Sequence, residues 1–373
     1  MDKEYLIRII KSNQNLLEDL KKSQYIQNEF LGMVRSIESM IPEDSRENFY
    51  KNLKTLRINI IDTQDMKENA AGVYKKKSNE ICINKNMILK LQSKNIGQNY
   101  EGLSDIISTT IYHELLHMAS TTRDEKTNYY ASGFQNIKRD ERGKLIYAEE
   151  YEGMTEGFIE LLTCLAFVKK TKGEFSEYGI QANLLEHLAI LTDLETIKKS
   201  LFNNKNGMSL VDEKLKDIDG VDSHDELYQK IEYDYKLGVS REERDNYERK
   251  LLASIEQELI CLSSKKANKL LRENPSFTQK LLNNWWKDVE DTINFSEKLE
   301  SMGEKPERYE GINKMRQQFM KARRETIENT KIQISKDNVE TATKDTRISD
   351  INSQVRAIKE QIQVNEKDER GGL

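Results

Sequence analysis

Along residues 3–41 apolar positions recur at helical spacing: Leu6, Ile9, Ile10, Leu16, Leu17 and Leu20 fall three, four or seven apart. The pattern predicts a helix ended by Pro42 and the polar run "PEDS". It then changes to a period of two. "TLRINIID" (55–62) alternates Leu56, Ile58 and Ile60 with polar residues, as a half-buried strand does. "AGVYKKKSNEICIN" (71–84) reads as two short strands around a "KKSN" turn. From "LSDIISTTIYHELLHMAS" the helical period returns, with Leu103, Ile107, Ile111, Leu115 and Met118 on one stripe and Ser104 as a candidate N-cap. "YYASGFQNIKRDERGKLIYAEEYEG" (129–153) carries turn-forming glycines and reads as a loop or hairpin with short strands. "EGMTEGFIELLTCLAFVKK" (152–170) is helical and strongly apolar on one side.

From there to about residue 300 the chain reads as helix, broken at "NNKNG", "DIDGVDS" and "ENPS". "SMGEKPERYEG" marks a further boundary, and beyond Phe319 no aromatic residue occurs, so the end should be disordered. The expected organisation is an amino-terminal helix (1–41), a mixed unit (42–175), a helical part (176–300) that completes it or stands apart, and a linker, helix and tail (301–373). The fold class is α+β, mostly helical. A small sheet precedes the helix that carries the two histidines of "HELLH".

Composition narrows the partners. The 59 basic and 64 acidic residues are interspersed and leave a net charge of −5, with no basic stripe for nucleic acid. Three separated cysteines (Cys82, Cys164, Cys261) make neither a disulfide framework nor a cysteine-rich zinc site. No apolar run is long enough to span a bilayer, and "MDKEYLIRIIKSNQNLL" lacks the long apolar run expected of a signal peptide. Cytoplasmic residence is the expectation, with signal-less export or delivery as an effector also compatible. The abundance of Lys, Asn and Ile is of the kind AT-rich bacterial genomes encode.

The candidate chemistry lies in "TTIYHELLHMAS". The chain has four histidines, and His113 and His117 stand one helical turn apart, so a helix projects both from one face. Two imidazoles at that spacing can grip one zinc ion, and Glu114 beside the first is placed to take a proton from zinc-bound water. A catalytic zinc needs a third protein ligand. Downstream, Glu152 and Glu156 in "YEGMTEGF" again share a helical face, and Glu160 continues it.

Residues 55–170 thereby resemble the gluzincin group of zinc metallopeptidases, in which the HExxH helix is followed by a second helix opening with an NExxSD-like or NEGxxE-like segment. The resemblance implies a zincin-like core, a Zn2+ ion on His113, His117 and Glu152, and Glu156 as an outer carboxylate orienting a ligating histidine. Tyr151 stands where Asn is common, and 34 residues separate His117 from Glu152, more than in thermolysin-like members, which leaves Glu156 open as the ligand. It also implies peptide hydrolysis with Glu114 as general base and acid, a protein or peptide substrate, and an edge strand that pairs with it, for which "NEICIN" is the candidate. The group that steadies the developing oxyanion would come from Tyr112, Tyr147, Tyr151, Tyr178 or His224.

Other features take structural readings. His187 in "LLEHLAIL" reads as a packed helix residue, His224 as an exposed loop histidine, Cys82 as a strand residue and Cys164 as core. Of Trp285 and Trp286 one is expected inside and one partly exposed, and "ISDINSQVRAIKEQIQV" offers an amphipathic helix to a partner. The rival readings are an inactive zincin-fold scaffold, against which the presence of Glu114 argues, and a helical interaction protein whose motif is accidental. In an active enzyme, residues 1–41 and 171–300 could restrict access to the cleft.

Overall fold

The expected first helix is broken at Asn13, and this break sets the course of the amino-terminal segment. In the computed structural model, α1 (Lys3–Ser12) and α2 (Gln14–Lys21) meet at this residue, and α3 (Phe30–Met40) completes the segment. The Asn13 side chain is buried. Its oxygen accepts from the Leu16 amide at 3.1 Å, and its nitrogen donates to the carbonyls of Leu53 and Leu56 at 3.0 and 2.9 Å. A buried amide left without such partners would cost more than the helical bonds it interrupts. The structure describes residues 3–22, 29–61, 70–86, 102–124, 129–139, 145–167, 178–203 and 208–239, and separate positions from 251 to 287. Trp285, Trp286 and the tail from 301 lie outside the described residues.

After Pro42 a single 3-10 turn (Glu43–Ser45) leads into α4 (Arg46–Leu53). The strand pattern then appears as β1 (Arg57–Ile61), β2 (Gly72–Lys75) and β3 (Glu80–Asn84), in the order β1-β3-β2. β3 runs parallel to β1 and antiparallel to β2. The "KKSN" turn joins β2 to β3, and its Asn79 takes a positive φ of 51°, which asparagine tolerates better than most residues. "NEICIN", expected at the edge, is therefore the central strand. Its run of Ile81, Cys82 and Ile83 is buried throughout, as a strand covered on both faces requires. The outer side of β1 is occupied by Asp19 of α2, which accepts from the Ile58 amide at 3.2 Å and pairs with Arg57 at 2.7 Å. That leaves β2 as the open edge of this sheet among the described residues.

α5 (Gly102–Ser120) begins two residues before the expected Ser104 cap. It buries Ile107, Ile111, Leu115 and Met118, and packs against α3, α4, β2 and β3. Two antiparallel hairpins come next, β4 (Thr121–Asp124) with β5 (Tyr129–Ser132), and β6 (Gln135–Arg139) with β7 (Leu145–Glu150). α6 (Glu152–Ala166) is buried along most of its length and crosses α5. α7 (Gly179–Leu191) lies so close to α6 that a Cβ on Gly157 would stand 2.6 Å from the Gln181 backbone. α8 (Leu194–Phe202), α9 (Ser209–Asp219) and α10 (Asp225–Val239) follow, and the separate described positions from 251 to 287 are helical too. One continuous apolar core runs from Leu6 in α1 to Leu262 and takes in α5, α6, α7, α8, α9 and α10. Among the described residues the architecture is mostly helical with three small sheets, and is compatible with the α+β class.

Candidate metal centre

On α5 the helical turn between His113 and His117 brings their Nε2 atoms within 3.3 Å of one another. α6 crosses this face and delivers Glu156, whose Oε2 lies 3.2 Å from each of the two Nε2 atoms. These three form the one group of metal-capable side chains found among the described residues, with ligand atoms all within 4.8 Å. Two nitrogens and a carboxylate oxygen are a donor set that suits zinc and other first-row ions. Each side chain is only about one-seventh exposed (14%, 14% and 13%), so the group is shielded without being sealed. Behind it Glu160 brings Oε2 to 3.6 Å from His113 Nδ1.

Electrostatics bind the cluster together. Burial pulls the His113 pKa down, but the bonds to Glu156 and Glu160 outweigh it and hold the value well above that of a free imidazole. Burial likewise pushes Glu156 up, and the two histidines more than reverse it, so its carboxyl stays ionised. Glu114, from the same turn of α5, is almost fully buried, and there burial prevails over the attraction of His117 and His113 and raises its pKa. Its carboxylate accepts a hydrogen bond from the backbone N–H of Tyr74 on β2. Glycine at 72 allows that approach, because a Cβ there would lie 2.6 Å from Thr110 Cγ2 and 3.0 Å from Glu114 Oε1.

Glu152, taken from the sequence as the third ligand, sits one turn before Glu156 at the first residue of α6, exposed and outside the three-residue group. Its carboxylate instead takes a hydrogen bond from the Tyr235 hydroxyl. Glu156, assigned from the sequence to the outer shell, is the carboxylate beside both imidazoles, and Glu160 has the outer position behind His113. Three glutamates spaced four apart repeat the same face of a helix, so spacing alone cannot say which turn meets α5. The angle at which α6 crosses decides it.

Of the five side chains considered for the oxyanion, only Tyr178 is seen near the cluster, its ring stacked on His113 with centroids 6.0 Å apart. Tyr112 is in the core and shares a 2.9 Å hydrogen bond with Ser36. Tyr151 is buried with its hydroxyl on Asp225, and the Tyr147 side chain lies outside the described residues. His224 is not the exposed loop residue its neighbours in sequence suggest. The turn after α9 folds it inward between Asp212 and Asp219, at 3.5 and 3.4 Å. His187 is buried and bonded to Ser263 Oγ at 2.8 Å. The residue that sequence reasoning missed is Tyr235 on α10. It packs on Tyr178, with centroids 6.0 Å apart, and against Gly153, where any Cβ would collide with it. No local signal marks it, because the fold brings it in from far downstream.

No helix among the described residues is long and apolar enough to cross a membrane. No curated protein and no solved structure matches the chain. A family described as metallopeptidase toxin 3 matches residues 4–155, a stretch that holds α1 to α5, the three-stranded sheet and "HELLH" and stops one residue short of Glu156. That match makes residues 4–155 a metallopeptidase-like segment.

Proposed function

We propose that the chain is a zinc-dependent peptidase with a zincin-like core, in which His113, His117 and Glu156 hold the ion and Glu114 handles the proton. The observation that carries this reading is the convergence of two Nε2 atoms and one carboxylate oxygen within 3.3 Å, with a buried glutamate on the same helical turn. On this reading Glu160 steadies His113 through Nδ1, a role that usually fixes the tautomer and orientation of a ligating ring.

The ion would supply Lewis acidity toward the scissile carbonyl and the attacking water. The chain's own groups do the rest. Glu114 accepts the proton of the water and returns it to the leaving amine, and a raised carboxyl pKa suits a group that must do both. The Tyr74 amide holds Glu114 in place before substrate arrives. Tyr235 and Tyr178 provide phenolic donors on the side of α10 and α7, either of which could hydrogen-bond the carbonyl oxygen as it gains charge. The open edge of β2 offers main-chain groups to an extended peptide. The word "toxin" in the description of the matching family supports delivery into another cell, where the substrate would be a protein of that cell.

Elemental mass spectrometry of the purified protein tests the reading. One zinc per chain is expected in the wild type and in Glu152→Gln, with loss in His117→Ala and in Glu156→Gln. Glu114→Gln should retain zinc and lose about 10²–10⁴-fold in peptide hydrolysis. A wild type that takes up no zinc sinks the proposal. A Glu152→Gln protein that loses zinc while Glu156→Gln keeps it would return the ligand to the preceding turn of α6.

A further inference from the structure

The open edge of β2 does not continue freely in both directions. The ladder bond from the Asn84 amide to the Ala71 carbonyl (2.8 Å) makes Ala71, Val73 and Lys75 the residues whose main-chain groups face β3. The amide and carbonyl groups of Gly72 and Tyr74 therefore face outward, in agreement with the bond from Tyr74 N–H to Glu114. An extended peptide pairing with this edge would pass Glu114 beside Gly72 and Tyr74. It would then reach Lys76, the first residue of the turn. Lys76 Nζ lies 2.7 and 2.6 Å from the two oxygens of Glu150, the last residue of β7 and two residues ahead of α6. The bridge links the edge hairpin to the lead-in of the helix that carries Glu156.

We propose that the Lys76–Glu150 bridge closes one end of the substrate cleft, so that the protein takes peptide chains by a free amino terminus and cuts within about their first four residues. This inference rests on the peptidase reading above. The length follows from the strand. From Gly72 or Tyr74 to Lys76 is two to four residues, or about 7–13 Å at roughly 3.3 Å per residue. The polarity follows from pairing, since antiparallel pairing is the more stable per residue and would point the amino terminus of a bound peptide toward the C-terminal end of β2. The closed end suits an ammonium group, because the part-exposed carboxylate of Glu150 stands there, and its two oxygens can accept more hydrogen bonds than those from Lys76. Both members of the bridge are about one-third exposed, at 38% and 34%, so it is a barrier that longer chains meet and that a single substitution opens.

The test uses the full chain loaded with zinc, as wild type, Lys76→Ala and Glu150→Gln, acting on a proteome-derived peptide library with products mapped by mass spectrometry. Wild-type cuts should concentrate within the first four residues, and both variants should gain at least tenfold in cuts beyond the sixth. Wild-type cuts spread evenly along the peptides, or an unchanged pattern in both variants, would overturn the inference and leave the peptidase reading intact. A second readout needs no turnover. Immobilised Glu114→Gln protein should retain library peptides with free amino termini at least tenfold better than acetylated ones, and adding Glu150→Gln should abolish that preference. Acetylation-sensitive retention without any hydrolysis by the wild type would support the closed end and overturn the peptidase reading. Retention indifferent to acetylation would count against the closed end.

Discussion

Two histidines outside the candidate metal centre respond to pH in opposite directions, because one is buried beside a neutral hydroxyl and the other between carboxylates. Burial lowers the His187 pKa to about 3, and its hydrogen-bond partner, Ser263, is a hydroxyl. The folded state therefore stays neutral there while the unfolded chain takes up a proton below about 6.5. The unfolded state binds more protons between those values, so this residue's contribution to stability falls as pH drops from 6.5 toward 3, by about 1.4 kcal/mol per unit. His224 also loses by burial, but Asp212 and Asp219 more than restore it and raise its pKa. Its contribution is full below 6.5 and is lost as pH rises through the folded value. Urea unfolding at pH 5.5 and 7.5 checks both. The midpoint of His187→Gln should fall less than that of wild type on going to pH 5.5, whereas His224→Gln should be most destabilised at the lower pH. Parallel shifts in the two variants would refute the assignment.

At the scale of elements, glycines set how closely the parts of the site approach. Gly157 lets α7 lie against α6, and there the obstacle to a larger residue is the Gln181 backbone, which cannot turn aside as a side chain can. Gly157→Ala should cost about 1–3 kcal/mol, read as a lowered denaturation midpoint. Wild-type stability in that variant would mean that the two helices are less closely packed. The periods of the sequence located α5 and α6 and marked the strands, because side-chain period reports which face of an element is buried. The break at Asn13 was not legible. Helical period continues through it, and the carbonyls that satisfy its side chain, Leu53 and Leu56, lie about forty residues away. The place of β3 was equally hidden, since one strand's pattern does not name its neighbours.

For the whole molecule the shared core changes what truncation should do. If residues beyond 170 only restricted access to the cleft, removing them would raise hydrolysis. α7 and α10 instead cover buried residues of α6, Glu232 of α10 accepts from the Gly153 amide at the start of α6, and Tyr235 packs on the Tyr178 ring that stacks on His113. A chain ending at residue 170 should therefore show lower cooperativity of unfolding and lose hydrolysis. A folded, more active fragment would show that the helical part is a cover and not a portion of the site.

The sequence by itself determined the helix that offers His113, Glu114 and His117, because residues four apart on a helix face the same way whatever surrounds them. It also determined that a second helix, rich in glutamate on one face, comes after it. Only the tertiary structure decided which of Glu152, Glu156 and Glu160 meets the histidines, which strand is the open edge, that Tyr235 packs on the Tyr178 ring beside His113, and that Lys76 pairs with Glu150. Each of these depends on how one element crosses another. A repeating pattern fixes the face of an element, but it leaves the sliding and rotation of that face against its neighbour to the packing of the whole.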